Sequence, residues 1–370
     1  MRLTKLRLLV LMLGAVLAAS AWVAPSAMAA GRLDLMIRDT GGRPVAGAAV
    51  TWSLLPTGQE LPRGHQTTLG VHTAKADAHG RASVALSLTR RERALVANNG
   101  DWANVELAVT DDTGRPVAFQ TIARYLGTRA DQASQQQLTS AADPLVVEAP
   151  VQESAVTTQD TGCTNYHWER YSKDWNWTRV GELHSAGDTK VARFTYGRTA
   201  DSSIDVGYRD SGSGWYLSGS AHIGNTRSSA VSISAGSNYA WGMLTQFNYA
   251  LDFFYADCYQ GSHRYQGHQR TYATSWRGSI TNSYNLSQYD NNRNSHWNLF
   301  GRNAGFDRST YRFKKWSGAV SVWGASLGAR SGASAYVKLH YLFGSAQSAH
   351  YLYGNDNTPP YSHRVFASNK

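Results

Sequence analysis

Cysteine is scarce in this chain, glutamate is scarce in its second half, and long apolar runs are missing beyond the first 30 residues. Only Cys163 and Cys258 are present, too few thiolates for a zinc knuckle unless histidines complete it. Glu169 and Glu182 are the only glutamates from residue 163 onward, so glycosidase chemistry there would rest mostly on aspartates. No H-E-x-x-H occurs, and no strand-to-helix nucleophile elbow can be placed. Past residue 30 no apolar stretch reaches the ~20 residues of a membrane-spanning helix.

What is present begins with an address. Arg2, Lys5 and Arg7 form a basic head, Leu8 to Ala19 runs apolar, and Ala27-Met28-Ala29 has the A-x-A form of a cleavage site. Residues 1–29 are therefore expected to be a signal peptide, and the mature protein is expected to be secreted, extracellular or associated with a cell wall. In that compartment two cysteines form one disulfide, Cys163–Cys258. It closes a loop of about 95 residues, nominally worth ~4.7 kcal/mol in the chain-entropy model.

Charge is uneven along the chain. From residue 161 onward 21 Lys+Arg stand against 12 Asp+Glu, a net of +9, whereas residues 30–160 carry 12 against 14, a net of −2. Aromatic content of 11% and 34 glycines favour strands and tight turns.

Residues 30–125 read as a small β-sandwich. Leu33, Leu35 and Ile37 alternate with Asp34, Met36 and Arg38, and the same alternation recurs at Ala82, Val84, Leu86, Leu88 and at Val105, Leu107, Val109. Turns are expected at Asp39-Thr40-Gly41-Gly42-Arg43-Pro44 and at Asp77-Ala78-His79-Gly80. The segment Ile37-Arg38-Asp39-Thr40-Gly41-Gly42-Arg43-Pro44-Val45-Ala46-Gly47-Ala48-Ala49-Val50, with the later Asp77-x-x-Gly80-x-Ala82, resembles the opening motifs of carboxypeptidase-regulatory-like, prealbumin-like (Ig-like) domains. The resemblance implies an accessory spacer without a catalytic set. Residues 126–162 read as a disordered linker, polar apart from Leu145-Val146-Val147.

From Cys163 to residue 370 the pattern is a larger antiparallel β-sandwich or barrel, so the fold class is all-β. Ile204, Val206 and Tyr208 alternate, a turn follows at Arg209–Gly214, and Trp215, Leu217, Gly219, Ala221 and Ile223 share a parity. Trp241 through Phe253 keeps one parity for 13 residues, long for a strand. A β-bulge is expected between Val322 and Trp323, and a turn at Gly328–Gly332. In its aromatic, serine and glycine texture, and in Ser317-Gly318-Ala319-Val320-Ser321-Val322-Trp323-Gly324, this half loosely resembles secreted actinobacterial proteins without an assigned activity. That resemblance transfers no functional residue.

Of the tryptophans in this half, Trp215 and Trp241 fall on apolar faces and are expected in the core. Trp175 and Trp177, in Asp174-Trp175-Asn176-Trp177, and Trp297, in the polar tract 289–298, are the surface candidates. With Arg293, Asn294, His296 and Arg302 they form the expected binding set, rings for stacking and cations for charge. His263 and His268 stand five apart, which on a strand points the rings to opposite faces. His167, His184, His222 and His340 show no spacing signature, so no metal site, cofactor or catalytic set is assigned. The expectation is a non-enzymatic binding protein whose partner is an anionic or carbohydrate polymer or a cell surface, not nucleic acid. The alternatives are a membrane-active β-pore protein, whose strands alternate small polar with apolar residues, and a secreted hydrolase.

Overall fold

The computed structural model describes residues 32–58, 61–69, 72–110, 115–127, 145–149, 162–185, 189–196, 203–210, 214–223, 229–234, 239–283, 297–310, 314–331, 337–346, 349–353 and 366–369. Residues 1–29, expected as the signal peptide, lie outside them. The fold is all-β. No helix among the described residues is long and apolar enough to cross a membrane.

The first half carries β1 (Arg32–Asp39), β2 (Ala49–Leu54), β3 (Gln66–Thr68), β4 (His72–Lys75), β5 (Arg81–Ala85), helix α1 (Arg90–Asn98), β6 (Trp102–Thr110), β7 (Pro116–Tyr125) and β8 (Leu145–Ala149). Strands β5-β1-β8 make one sheet and β7-β6-β2-β4 belong to another. Leu35, Ile37, Val84 and Val147 from the first meet Val50, Trp52, Val105 and Leu107 from the second in one buried cluster. The alternation read at Leu33, Leu35 and Ile37 is the buried face of β1. The turn at Asp77 is closed by its own side chain: Oδ1 accepts from His79 N at 2.8 Å and Arg81 N at 2.9 Å. Gly80 there has φ +74°, and a Cβ would lie 2.6 Å from the Ile37 carbonyl oxygen, so only glycine fits.

Two features of this half depart from the expectation. The segment 126–162, read as disordered linker, contains β8, which pairs parallel to β1 with Leu35 opposite Leu145. The apolar triplet Leu145-Val146-Val147 supplies a strand that completes a sheet; residues 128–144 and 150–161 lie outside the described residues. Helix α1 is also unforeseen, although Thr89 and Glu92 form a reciprocal capping box at its start.

The second half carries β9 (Thr164–Ser185), β10 (Thr189–Tyr196), β11 (Ser203–Arg209), β12 (Trp215–His222), β13 (Ser229–Ser234), β14 (Tyr239–Cys258), β15 (Ser262–Ser283), β16 (Trp297–Phe300), β17 (Gly305–Thr310), β18 (Lys314–Val322), β19 (Ala325–Ser331), β20 (Val337–Phe343), β21 (His350–Tyr353) and β22 (Phe366–Asn369). Its main core gathers Phe194, Ile204, Met243, Phe247, Tyr249, Trp276, Val322, Leu327, Tyr341 and Phe343. Trp215 packs against this core only partly buried, and the Trp241 side chain lies outside the described residues. The bulge expected after Val322 is instead a two-residue hairpin turn: Trp323 and Gly324 have φ of 48° and 85°, and Val322 pairs with Ala325. Positive φ at both central residues matches the twist of the flanking strands. The turn expected at 328–332 is displaced too, because β19 runs on through Ser331. In β12 a register shift interrupts the expected parity, so Leu217 is exposed while Ala221 and Ile223 are buried.

The halves are joined by more than a tether. Strand β12 meets β7 in parallel at Gly219 and Thr121, β3 pairs with β9, and one 15-stranded hydrogen-bonded sheet runs through both. Leu55, Leu69, Ala108 and Phe119 share a core with Trp168, Val206, Tyr208, Phe254 and Tyr272. The first half is thus packed on the second.

Candidate functional site

The long strands β9 and β15 carry Trp175, Trp177, His167, Glu169, His263 and Arg277, with β14 between them. Successive side chains of a strand point to opposite faces, and β14 buries a different face at each end. Toward the disulfide, Ala250 and Phe254 face the first half; toward its start, Met243, Phe247 and Tyr249 face the C-terminal core. Each end therefore leaves the other face open, and the two open regions lie on opposite sides of the sheet.

The first open region holds the indoles that the sequence singled out. Trp175 and Trp177 stand opposite Asn248 and Gln246 of β14 and are 38% and 48% exposed. Residues two apart on a strand project to one side, so the two rings share one side of β9. Arg277 of β15 donates from Nη1 to Gln246 Oε1 at 2.7 Å, and its guanidinium carbon sits 5.9 Å from the Trp175 ring centroid, within cation–π range. Ring faces and a cation are together on one solvent-facing surface.

The second open region lies at the disulfide end. Cys163 and Cys258 are bonded, tying the start of β9 to the end of β14, where Thr164 pairs with Asp257. Beside them His263 stacks on Tyr255 at 4.3 Å and on His167 at 5.1 Å. Tyr171 stacks on Phe253 at 4.3 Å, with Arg63 over its outer face. His263 places Nε2 3.2 Å from Glu169 Oε2 and Nδ1 3.3 Å from Asp257 Oδ1. Hydrogen bonds from Asn165 and His263 hold Asp257 below the usual carboxylate range. His268 points elsewhere, against Phe119 and Phe254 with Nδ1 on Asp210, so the two histidines of the H-x4-H spacing diverge.

Between the halves lies a buried charge network that no linear motif announces. Glu106 of β6 accepts from Trp168 Nε1 at 2.6 Å, Tyr208 OH at 2.8 Å and Arg270 Nη1 at 2.7 Å. Asp252 accepts from Arg170 Nε at 2.5 Å, Arg270 Nε at 2.9 Å and Tyr272 OH at 2.9 Å. Two carboxylates face two guanidiniums, so the set is neutral as a whole. Burial opposes ionisation of Asp252, but Arg270 and Arg170 outweigh it and leave its carboxyl below the ordinary range. Burial likewise opposes the charge on Arg270, and Glu106 with Asp252 raises its pKa nonetheless. With every member enclosed, this network holds the fold together and offers no substrate access.

Of the seven residues expected to bind, the structure brings Trp175 and Trp177 together, and Arg302 is exposed in the turn after β16. Trp297 starts β16, but its side chain, like Arg293, Asn294 and His296, lies outside the described residues. Arg277 was missed; its signal was the pairing of β14 with β15, which brings it beside Trp175. The spacing Gly324-Ala325-Ser326-Leu327-Gly328 has the G-x-S-x-G form, yet Gly324 sits in a hairpin turn and the serine lies within β19, not at a strand-to-helix turn, so it builds no nucleophile elbow. No family model matches the chain, and neither a curated protein nor a solved structure matches it.

Proposed function

We propose that this is an exported, non-enzymatic binding protein whose β9–β14–β15 sheet holds an extracellular or cell-envelope polymer, carbohydrate in chemistry. The observation that carries the reading is the pair Trp175 and Trp177, two large indoles open to solvent on one face of a rigid strand. An exposed indole offers a flat apolar surface to the C–H face of a sugar ring, and a strand holds it with little conformational freedom to lose on binding. Arg277 beside Trp175 and the net charge of +9 from residue 161 onward add attraction for acidic groups on such a polymer.

A glycan array followed by retention on insoluble cell-wall polymer tests this. Binding of wild type that is lost in Trp175→Ala and Trp177→Ala, with folding intact, supports the reading. Dye release from liposomes without retention on any polymer would place the indoles on a membrane instead and refute it.

A further inference from the structure

His167, Glu169 and His263 come from two strands that do not adjoin, and one ligand atom from each lies within 4.8 Å of the others. We propose that these three side chains form a divalent transition-metal site of the His2Glu type, with zinc as the fitting ion and a fourth position open to solvent.

Three observations carry this. The first is an orphaned ring nitrogen. His167 is 1% exposed; its Nδ1 is engaged by the Asn165 carbonyl at 2.8 Å, and its Nε2 is buried with no hydrogen-bond partner among the described residues. A buried imidazole nitrogen without a partner carries a desolvation cost. With Nδ1–H donating to a carbonyl, Nε2 holds the lone pair, which is the tautomer a metal requires.

The second observation is the surroundings of His263. Both of its nitrogens face carboxylates, Glu169 at Nε2 and Asp257 at Nδ1. A neutral imidazole has a single N–H, so it satisfies only one of them. A metal bound at Nε2 and Glu169 satisfies both, leaving Nδ1–H to Asp257 in the carboxylate–histidine–metal arrangement common in metalloproteins. The spacing agrees: ligand atoms ~2.0–2.1 Å from a tetrahedral zinc stand about 3.3 Å apart, and Nε2 to Oε2 is 3.2 Å.

The third is the shared support. Asn165 has φ +57°, an uncommon conformation for a non-glycine residue. Its carbonyl holds His167, while its amide Nδ2 donates to Asp257 Oδ2 at 2.6 Å. One residue thus orients both histidines, at the corner that the disulfide ties. The His263 side chain is 39% exposed, which leaves the site open to an ion from solvent.

The test uses the full chain, disulfide intact and without a histidine tag, titrated with Zn2+ against a chromophoric chelator and with Co2+ followed by visible absorption. One equivalent of Zn2+ is expected. His263→Ala and Glu169→Gln, at partly exposed positions, are each expected to weaken it at least tenfold, and Asp257→Asn, which alters only the support, by 10–100-fold. Near-UV circular dichroism of the three variants verifies that each is folded. Failure of wild type to bind one equivalent, or binding that survives both His263→Ala and Glu169→Gln, overturns the proposal. Loss of polymer retention has no bearing on this result, because Trp175 and Trp177 lie on the opposite face.

Discussion

Glu106 and Arg270 are 164 residues apart in sequence and meet at 2.7 Å with neither side chain accessible to solvent. One belongs to the N-terminal sandwich and the other to the C-terminal sheet, so the contact couples their stability. Removing one partner of a buried pair strands the other charge and typically costs about 3–5 kcal/mol. Glu106→Ala is expected to lower the unfolding free energy from urea melts by that order, and fluorescence and far-UV dichroism should report one coincident transition in wild type. Two separated transitions in wild type would contradict the coupling.

The approach of β12 to β7 depends on one missing side chain. At Gly219 φ is +111°, and a Cβ would stand 1.7 Å from the Thr121 carbonyl oxygen. Gly219→Ala is therefore expected to destabilise by several kcal/mol or to push the sheets apart. Gly301→Ala, where a Cβ meets nothing within 4 Å, serves as the neutral comparison. Thermal melts and limited proteolysis distinguish the two; equal behaviour would refute the close approach.

Acid should weaken the protein through His222. Its ring stacks on Trp102 at 4.5 Å, and burial depresses its pKa to about 3. The unfolded chain binds a proton near 6.5 that the native state refuses, so stability is full above about pH 6.5 and falls toward about pH 3. The slope for one proton is about 1.4 kcal/mol per pH unit. Unfolding free energies at pH 7.5, 5.5 and 4.5 should show this dependence, and His222→Phe should flatten it by one proton. An unchanged slope in His222→Phe would exclude the residue as its source.

Reduction of Cys163–Cys258 releases a closed loop of 95 residues. The expected loss is at most ~4.7 kcal/mol by chain entropy, read as a lower urea midpoint in reductant. Because the bond ties β9 to β14 beside Asn165 and Asp257, reduction should also weaken Zn2+ binding. Equal midpoints with and without reductant would count against this account of the bond.

Much of the architecture was readable before folding was considered. Leu33, Leu35 and Ile37 on β1 announce one buried face because the other is wet, and the count of two cysteines announces the one pair. Pattern reading fails where both faces are covered: all nine residues of β6 are buried, so Glu106 carries no signal that it faces Arg270. The Trp323-Gly324 turn is hidden from pattern reading because an aromatic residue at positive φ is unusual, leaving Gly324 as the one clue. Trp175 and Trp177 were found because alternation in β9 sets them against polar neighbours. His167, Glu169 and His263 were not grouped, since the turn between β14 and β15, and the register of both with β9, create their proximity.

The exposed indoles of β9 are the proposed polymer-binding surface. The decisive experiment is affinity electrophoresis of wild type and the Trp175→Ala/Trp177→Ala variant on the polymer selected by the glycan array. Strong retardation of wild type is expected, with at least a tenfold weaker interaction for the folded double variant. Equal retardation of the two proteins would contradict it.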